Sequence, residues 1–316
     1  MVHISTQSGL RIVVLAGGDS PERPVSLASG EQVAAALASA GHRVGRCDPA
    51  DTAIETFPWS RYDACFLALH GGAGENGQIQ QRLEVLGVPF TGSCSRASRL
   101  AMCKSASKER FFQVGVPTQP YVLVHAADSE ADIARKTAGL NFPLVVKPDC
   151  QGSSLGLGLA RNGAELRAAV KAALVFDPFA IVEPYVVGRE FTVALLSRQP
   201  LPLLEVVAPA GLFDYEAKYE SAMTEYRFET GLLPETATEI EQAAIAAADA
   251  LGTAGLVRVD LILDRTGRPC VLEVNTIPGM TPHSLAPKAA AQAGLTLAGL
   301  CEWMLEDCLA ASEVSR

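Results

Sequence analysis

Arg258, Asp260, Glu273 and Asn275 stand in two short apolar runs, "LVRVDLIL" and "VLEVNT", separated by a turn at Thr266-Gly267. Side chains alternate faces along a strand, so Arg258 and Asp260 share one face and Glu273 and Asn275 share another. If the two runs pair antiparallel as a hairpin, the four polar groups meet on one side. Asp, Glu and Asn all offer oxygen, which suits a hard cation such as Mg²⁺ or Mn²⁺. Mg²⁺ takes few protein ligands and completes its shell with water and phosphate oxygens, so three oxygens in this arrangement point to a nucleotide. Arg258 beside them could clamp a transferring phosphoryl group or a developing oxyanion. A surface hairpin held by structural ion pairs is the other reading of the same residues.

The second run leads straight into "TIPGMTPHS", a Pro/Gly loop ending at Ser284. Upstream, "VVKPDCQGSSLGLG" puts Lys147 at a strand end and a Gly/Ser loop behind it. Such a loop lets backbone N–H groups approach phosphate oxygens while the lysine supplies charge. It matches neither G-x-x-x-x-G-K-[ST] nor a Rossmann G-x-G-x-x-G entering a helix, and by itself it also reads as a flexible hairpin. "AMCKSASKERF" sets Lys104 at a helix start, and "VEPYVVGRE" sets Glu183 and Glu190 near one strand pair. Glu190 could take ribose hydroxyls; an ordinary exposed glutamate is the alternative.

The elements that must position these groups follow from the apolar periodicity. The stretch 11–44 reads strand, Gly loop, helix, strand, with Val33, Ala36, Leu37 and Ala40 on one helical face and Gly41 as its C-terminal stop. "YDACFLALHGG" is a buried strand, a helix follows near 77–86, and "VPFTGS" is extended. This alternation predicts a parallel α/β unit over roughly residues 1–100. A helix over 104–114, a strand over 142–148, two strands around Gly188, the strand "LPLLEVV", a helix near 235–252 and the hairpin follow. An Ala-rich helix from about 284, with Ser284 as its N-cap, is expected to close the chain.

With 316 residues, 48% hydrophobic and 19% charged, the chain can bury substantial cores and is not a disordered polymer. A net charge of −9 argues against a general nucleic-acid binder. No apolar window is long enough to cross a membrane, and "RIVVLAGG" is too short for a signal segment, so a cytoplasmic location is expected. The eight cysteines form no C-x-x-C and have no histidine at zinc spacing; they read as small buried hydrophobes in a reducing compartment.

In order along the chain, "GGDSPERPVSLASG", "LHGGAGENGQIQ", "VPFTGS", "VVKPDCQGSSLGLG", "VEPYVVGREFTVALL", "FDYEAKY", "VRVDLIL" and "LEVNTIPGMTPHSLAPKAA" resemble the successive motifs of the D-alanine–D-alanine ligases, members of the ATP-grasp superfamily. The resemblance runs from about residue 11 to 305. It implies an α/β (α+β) fold: an N-terminal parallel α/β substrate domain (1–103), a central ATP-grasp subdomain (104–190) and a C-terminal ATP-grasp subdomain carrying the metal site (191–316). It implies ATP-dependent joining of two D-alanines through an acyl phosphate, for peptidoglycan precursors. It also implies two Mg²⁺ or Mn²⁺ ions on Asp260, Glu273 and Asn275, and a homodimer. Lys104 and Lys147 match ATP-phosphate lysines, and Glu183 and Glu190 match nucleotide contacts. Arg258 and the Gly279 N–H match oxyanion stabilisers. Ser284 matches the contact to the second substrate's carboxylate, and Glu22 the group receiving the first ammonium. His70 matches a residue near the substrates. On the "DYEAKY" loop, Lys218 matches a residue closing over the phosphates and Tyr219 a hydroxyl bonded to Ser153 and, through it, to Glu22.

Three departures stand out. Asn76 replaces the usual Asp, Gln151 the usual Glu, and the loop continues "ESAMTEY" after Tyr219. Ligases using D-lactate or D-serine as the second substrate share the same metal site, and other ATP-grasp carboxylate–amine ligases share the mechanism. Tyr219 favours D-alanine over D-lactate, and Glu22 with the Ser153/Tyr219 chain fits a small zwitterion. A nucleotide-binding protein without turnover is the third reading, against which the full Asp260/Glu273/Asn275 set argues.

Overall fold

The computed structural model describes residues 9–207 and 224–314. Its strands fall into three sheets, and the site lies where the three approach one another.

The first sheet is parallel, in the order β2-β1-β3, from β1 (Arg11–Leu15), β2 (Arg43–Cys47) and β3 (Ala64–Leu67). β3, and β1 after the exposed Arg11, are apolar runs because helices cover both faces. Helix α1 (Arg23–Ser39) takes its proline in the first turn, where no N–H is missed, and turns Val33, Ala34 and Leu37 onto the sheet. Gly41, at φ 93°, follows its last turn as expected. Three short helices come next: α2 (Gly72–Glu75), α3 (Gln78–Val85) and α4 (Ser95–Met102). "VPFTGS" joins this sheet through an isolated parallel bridge between Phe90 and Cys65 and the Leu67 N–H donating to Thr91 Oγ1 at 3.0 Å.

Helix α5 (Lys104–Val114) leads to the second sheet, antiparallel in the order β4-β7-β5-β6. Its strands are β4 (Val122–His125), β5 (Leu144–Pro148), β6 (Gly158–Ala160) and β7 (Phe179–Pro184), backed by α6 (Glu130–Thr137) and α7 (Gly163–Ala173). The helix starts are locally encoded. Ser129 and Asp132 form a reciprocal capping box, and Asn162 accepts from the N–H groups of Ala164 and Glu165.

The third sheet is antiparallel, with β8 (Gly188–Leu196), β10 (Leu204–Val207), β11 (Glu225–Arg227), β12 (Leu256–Asp264) and β13 (Pro269–Asn275) in the order β11-β10-β8-β12-β13; the short β9 (Gln199–Pro200) pairs with β8. Helix α8 (Pro234–Leu251) buries Ile240, Ala243, Ala244, Ala247, Ala248 and Leu251 against it, a helical stripe of small residues that permits close packing. Gly252 ends the helix in the left-handed region.

The expectation of one closing helix is corrected. Helix α9 (Leu285–Gln292) stops at a turn, and a second helix, α10 (Leu297–Val314), follows. Leu300, Cys301, Met304 and Leu305 of α10 share a core with Ile12, Val14, Val33 and Leu37, so the end of the chain packs against its beginning. The reading of all cysteines as buried is corrected too. Cys47, Cys65, Cys270, Cys301 and Cys308 are buried, but Cys94 and Cys150 are exposed and Cys103 lies between.

Candidate active site

The hairpin pairs as the spacing requires. Arg258 lies opposite Asn275 and Asp260 opposite Glu273, in antiparallel register, with a bulge between Asp260 and Leu261. Cross-strand partners in such a ladder stand about 5 Å apart, so the four polar side chains form one patch. Asp260 is buried and held from two sides. Arg258 forks onto it, Nε to Oδ1 at 2.8 Å and Nη2 to Oδ2 at 2.7 Å, and the Thr192 hydroxyl donates to Oδ1 at 2.7 Å from β8. Asn275 accepts the Ile277 N–H at 2.9 Å, which turns the chain out of β13 into the Pro/Gly loop.

Two cavities adjoin this patch. One lies between the second and third sheets, with Lys147, Glu183 and Glu190 in its walls beside Asp260 and Glu273. The other, of about 680 Å³, opens between the first sheet and the hairpin, with Glu22, His70, Ser153, Arg258, Asn275, Gly279 and Ser284 around it. Lys104, Gln151 and Glu273 line both, so the cavities meet at these residues. A ligand in the first cavity and one in the second would touch there.

Lys104 is the hinge of that junction. It begins α5 and is buried, and its Nζ donates to the Gln151 carbonyl at 2.6 Å and lies 3.8 Å from Glu273 Oε2. Because a backbone oxygen receives this bond, the Gln at 151 does not alter it. Lys147 pairs with Glu183 across the antiparallel strands β5 and β7. Glu183 is buried and also receives Lys108 Nζ at 2.9 Å. Burial alone would raise the Glu183 carboxyl, yet the two ammonium groups beside it hold it well below the usual carboxylate range. Burial likewise works against the Lys147 ammonium, but Glu183 outweighs it and raises its pKa.

On the other side, Ser153 donates to Glu22 Oε1, joining the Gly/Ser loop to the start of α1. Ser153 and Ser154 hold φ of 52° and 55°, a strained conformation for residues with side chains. Gly71 stands where a Cβ would lie 2.5 Å from Glu22 Oε2, so only glycine leaves room for that carboxylate. Gly279 has the same reason to be glycine: a Cβ there would lie 2.6 Å from Ser284 Oγ. Ser284 does occupy the cap position of α9, but its hydroxyl does not cap that helix. It accepts the Thr281 N–H at 3.1 Å and pairs with the Thr281 hydroxyl at 2.9 Å, drawing the Pro/Gly loop tight. Lys218 and Tyr219 lie outside the described residues.

Several residues of the site were not singled out from the sequence. Lys108, four positions along α5 from Lys104, reads as a solvated charge but is buried, donating to Thr118 Oγ1 at 2.8 Å and ion-paired with Glu183. Ser29 is buried in α1, 2.9 Å from His70 Nε2 and bonded to the Met280 N–H at 3.2 Å, so it ties the Pro/Gly loop to the first sheet. His70 Nδ1 in turn lies 3.6 Å from Glu75 Oε1. The i+4 spacing of Lys108 from Lys104 was the only signal for the first; Ser29 reads as one more small residue on a buried helix face.

Comparison with known proteins agrees with this geometry. Residues 111–306 match the family model described as D-ala D-ala ligase C-terminus. A D-alanine--D-alanine ligase of Gloeobacter violaceus is 42% identical, covering 94% of this chain and 99% of its own. One of Azoarcus sp. is 43% identical over 92% and 95%. Among solved structures, a Bacillus anthracis D-alanine--D-alanine ligase superposes with a TM-score of 0.86 at 31% identity, over 98% of this chain and all of its own. The VanG D-Ala:D-Ser ligase of Enterococcus faecalis superposes at 0.83 with 27% identity, over 95% of this chain. Three sheets with a cleft between the two antiparallel ones are the ATP-grasp fold that the resemblance implied. Matched along nearly its whole length, the chain belongs to the D-alanine–D-alanine ligase family.

Proposed function

We propose that the protein joins two D-alanines at the expense of ATP, releasing ADP and phosphate. The observation that carries this reading is the meeting of two cavities at Lys104, Gln151 and Glu273, under the facing pairs Arg258/Asn275 and Asp260/Glu273. Phosphoryl transfer between two bound substrates needs such a junction, with fixed charges around the group in flight.

In this reading the nucleotide lies between the antiparallel sheets, near Glu183 and Glu190, with Lys104 and Lys147 toward its phosphates. Asp260, Glu273 and Asn275 would hold Mg²⁺ or Mn²⁺, which would neutralise the charge developing on the transferring phosphoryl group. The donor set fits them: three hard oxygens on one face of the hairpin, with Asn275 opposite Arg258 and Glu273 opposite Asp260. Glu22, held by Ser153, takes the ammonium of the first D-alanine. That substrate's carboxylate oxygen attacks the terminal phosphorus, and ADP leaves. The amine of the second D-alanine attacks the acyl carbon, loses a proton, and phosphate departs. Arg258 and the Gly279 N–H stabilise the oxyanion between these steps. Ser284, at the N-terminus of α9, receives the second carboxylate, where the helix dipole adds to its hydroxyl. Lys218 and Tyr219 complete the reading as a lid over the phosphates.

The division at 103 and 190 is part of the same proposal, as are a homodimer and a cytoplasmic location serving peptidoglycan precursors. Among the described residues no helix is long and apolar enough to cross a membrane.

The test is phosphate release together with product mass, using ATP, Mg²⁺ and D-alanine. Matched phosphate and D-alanyl-D-alanine, with silence on L-alanine, is the expected result. Phosphate release only when D-lactate or D-serine is added would move the second substrate. Nucleotide binding without turnover would overturn the assignment.

A further inference from the structure

Two thiols meet directly behind the junction of the cavities. Cys103 is the residue before α5 and Cys150 opens the Gly/Ser loop, and the backbone already joins them: the Lys104 N–H donates to the Asp149 carbonyl at 3.0 Å. The Cys103 and Cys150 sulfurs and an Asp149 oxygen all lie within 4.8 Å of one another. Asp149 is buried and its carboxylate is occupied, accepting the Ser105 N–H and the Ser105 hydroxyl, each at 2.7 Å, with Cys103 Sγ at 3.1 Å. The two sulfurs lie close enough for thiol chemistry between them. The two sulfurs are not alike. Contact from the Cys150 thiol brings Cys103 down to about 7 despite its partial burial, helped by the Ser105 hydroxyl and Ala106 N–H, while the Asp149 carboxylate that accepts from Cys103 Sγ acts the other way. Cys150 is raised, first by its contact with Cys103, and its residue is solvent-exposed. Two neighbouring sulfurs, one at a helix start and one reached by solvent, are the arrangement of an attacking and a resolving cysteine.

We propose that Cys103 and Cys150 form a dithiol modification site, which hydroperoxides close to a disulfide that tethers the Gly/Ser loop to the start of α5. Cys103 releases its proton and its sulfur attacks one oxygen of hydrogen peroxide; an S–O bond forms, the O–O bond breaks, and the other oxygen leaves as hydroxide, which takes up the released proton as water. The Cys150 sulfur then attacks the sulfenic sulfur; the S–S bond forms, the S–O bond breaks, and hydroxide leaves with the Cys150 proton as water. Two thiols are oxidised by two electrons in total and one hydrogen peroxide is reduced to two waters. Drawing the sulfurs together moves the residues on either side. These are Lys104, whose ammonium holds the Gln151 carbonyl, and the segment reaching Ser153, which holds Glu22. The effect on turnover rests on the nucleotide reading given above; the disulfide itself does not.

Full-length reduced protein is treated with hydrogen peroxide, digested without reductant, and mapped by mass spectrometry, with ATP affinity and turnover measured alongside. The expected result is a Cys103–Cys150 linked peptide, formed ahead of any oxidation at the exposed Cys94. A roughly tenfold or greater loss of ATP affinity or turnover should accompany it, as displacing one charged hydrogen bond would give, and dithiothreitol should restore both. Cys150→Ser, fully active when reduced, stops the link and accumulates a sulfenic acid on Cys103 that dimedone captures; Cys103→Ser gives neither product. Both thiols intact while Cys94 is oxidised would overturn the site. A quantitative link with unchanged turnover and ATP affinity would overturn the tether. Protein that never binds ATP but still forms the link would instead count against the nucleotide reading and leave the dithiol standing.

Discussion

Arg258 and Asp260, two residues apart on one strand face, form a forked ion pair with both hydrogen bonds under 3 Å. The fork has two consequences. It holds Asp260 in one orientation against Thr192, and it directs the planar guanidinium along the hairpin face toward the larger cavity. Lysine keeps the charge but cannot fork. Arg258→Lys is expected to lower kcat by about 10²-fold, the size of one lost oxyanion donor, with little change in ATP affinity. Steady-state kinetics with ATP and D-alanine varied separately check this; a loss confined to the ATP KM would assign Arg258 to nucleotide holding instead.

Glu273 faces Asp260 across the ladder and is partly exposed, so its side chain contributes little to the core. Glu273→Ala should therefore leave the thermal midpoint within a few degrees, as about 1 kcal/mol or less would, while turnover with Mg²⁺ falls by more than about 10²-fold. Calorimetry and phosphate release on the same preparation separate the two effects. Full turnover in the variant would remove Glu273 from the metal site.

Gly279→Ala forces a Cβ to within 2.6 Å of Ser284 Oγ, so the hydroxyl must leave Thr281. The expected cost is about 1–3 kcal/mol of stability, with a rise of roughly tenfold in the D-alanine KM. Ser284→Ala removes the clashing atom. In that background Gly279→Ala should cost clearly less, and a double-mutant cycle reads the difference. Additive effects would separate the two residues.

Glu183, with Lys147 and Lys108, forms a buried trio whose pH response has a definite sign. The carboxyl is held below its ordinary value of 4.5 in the folded chain, so the unfolded chain takes up the proton first as acid is added. The stability the trio contributes is fully present above about pH 5, and is lost as pH falls from there toward the depressed folded value. Glu183→Gln should be about 3–5 kcal/mol less stable at neutral pH, because two buried ammonium groups lose their counter-charge, and should lack this acid-dependent fall. Urea unfolding at pH 7, 5 and 4 distinguishes the proteins. Parallel pH profiles would show that Glu183 does not carry the effect.

What could be read in advance divides along physical lines. The hairpin was legible because strand alternation is strict: polar residues at i and i+2 inside two apolar runs leave one register that joins them. The ends of α5 and α8 follow from a terminal glycine in the left-handed region, and the body of α8 from its apolar periodicity. Lys108 was not legible, since one turn along α5 nothing local separates a buried lysine from a solvated one; Glu183, on a strand 75 positions away, makes the difference. The break between α9 and α10 was legible but passed over: Gly294, at φ 83°, stops α9, and the Thr296 hydroxyl accepts the Gly299 N–H at the start of α10. The pairing of Cys103 with Cys150 escaped as Lys108 did, because their approach depends on a backbone bond between distant segments.

The packing of α10 onto β1 and α1 has a bearing on biosynthesis. Ile12, Val14, Val33 and Leu37 are made well before the side chains that cover them, from Leu300 to Leu305. A chain emerging from the ribosome thus carries an uncovered apolar surface while the long stretch between them is translated. Contacts of such long sequence separation also close slowly. The leading segment is then a natural client for chaperones during synthesis. Truncation near residue 300 would damage the first sheet, and with it the Glu22 end of the site, sooner than the Asp260/Glu273 hairpin that stands much nearer in sequence to the cut.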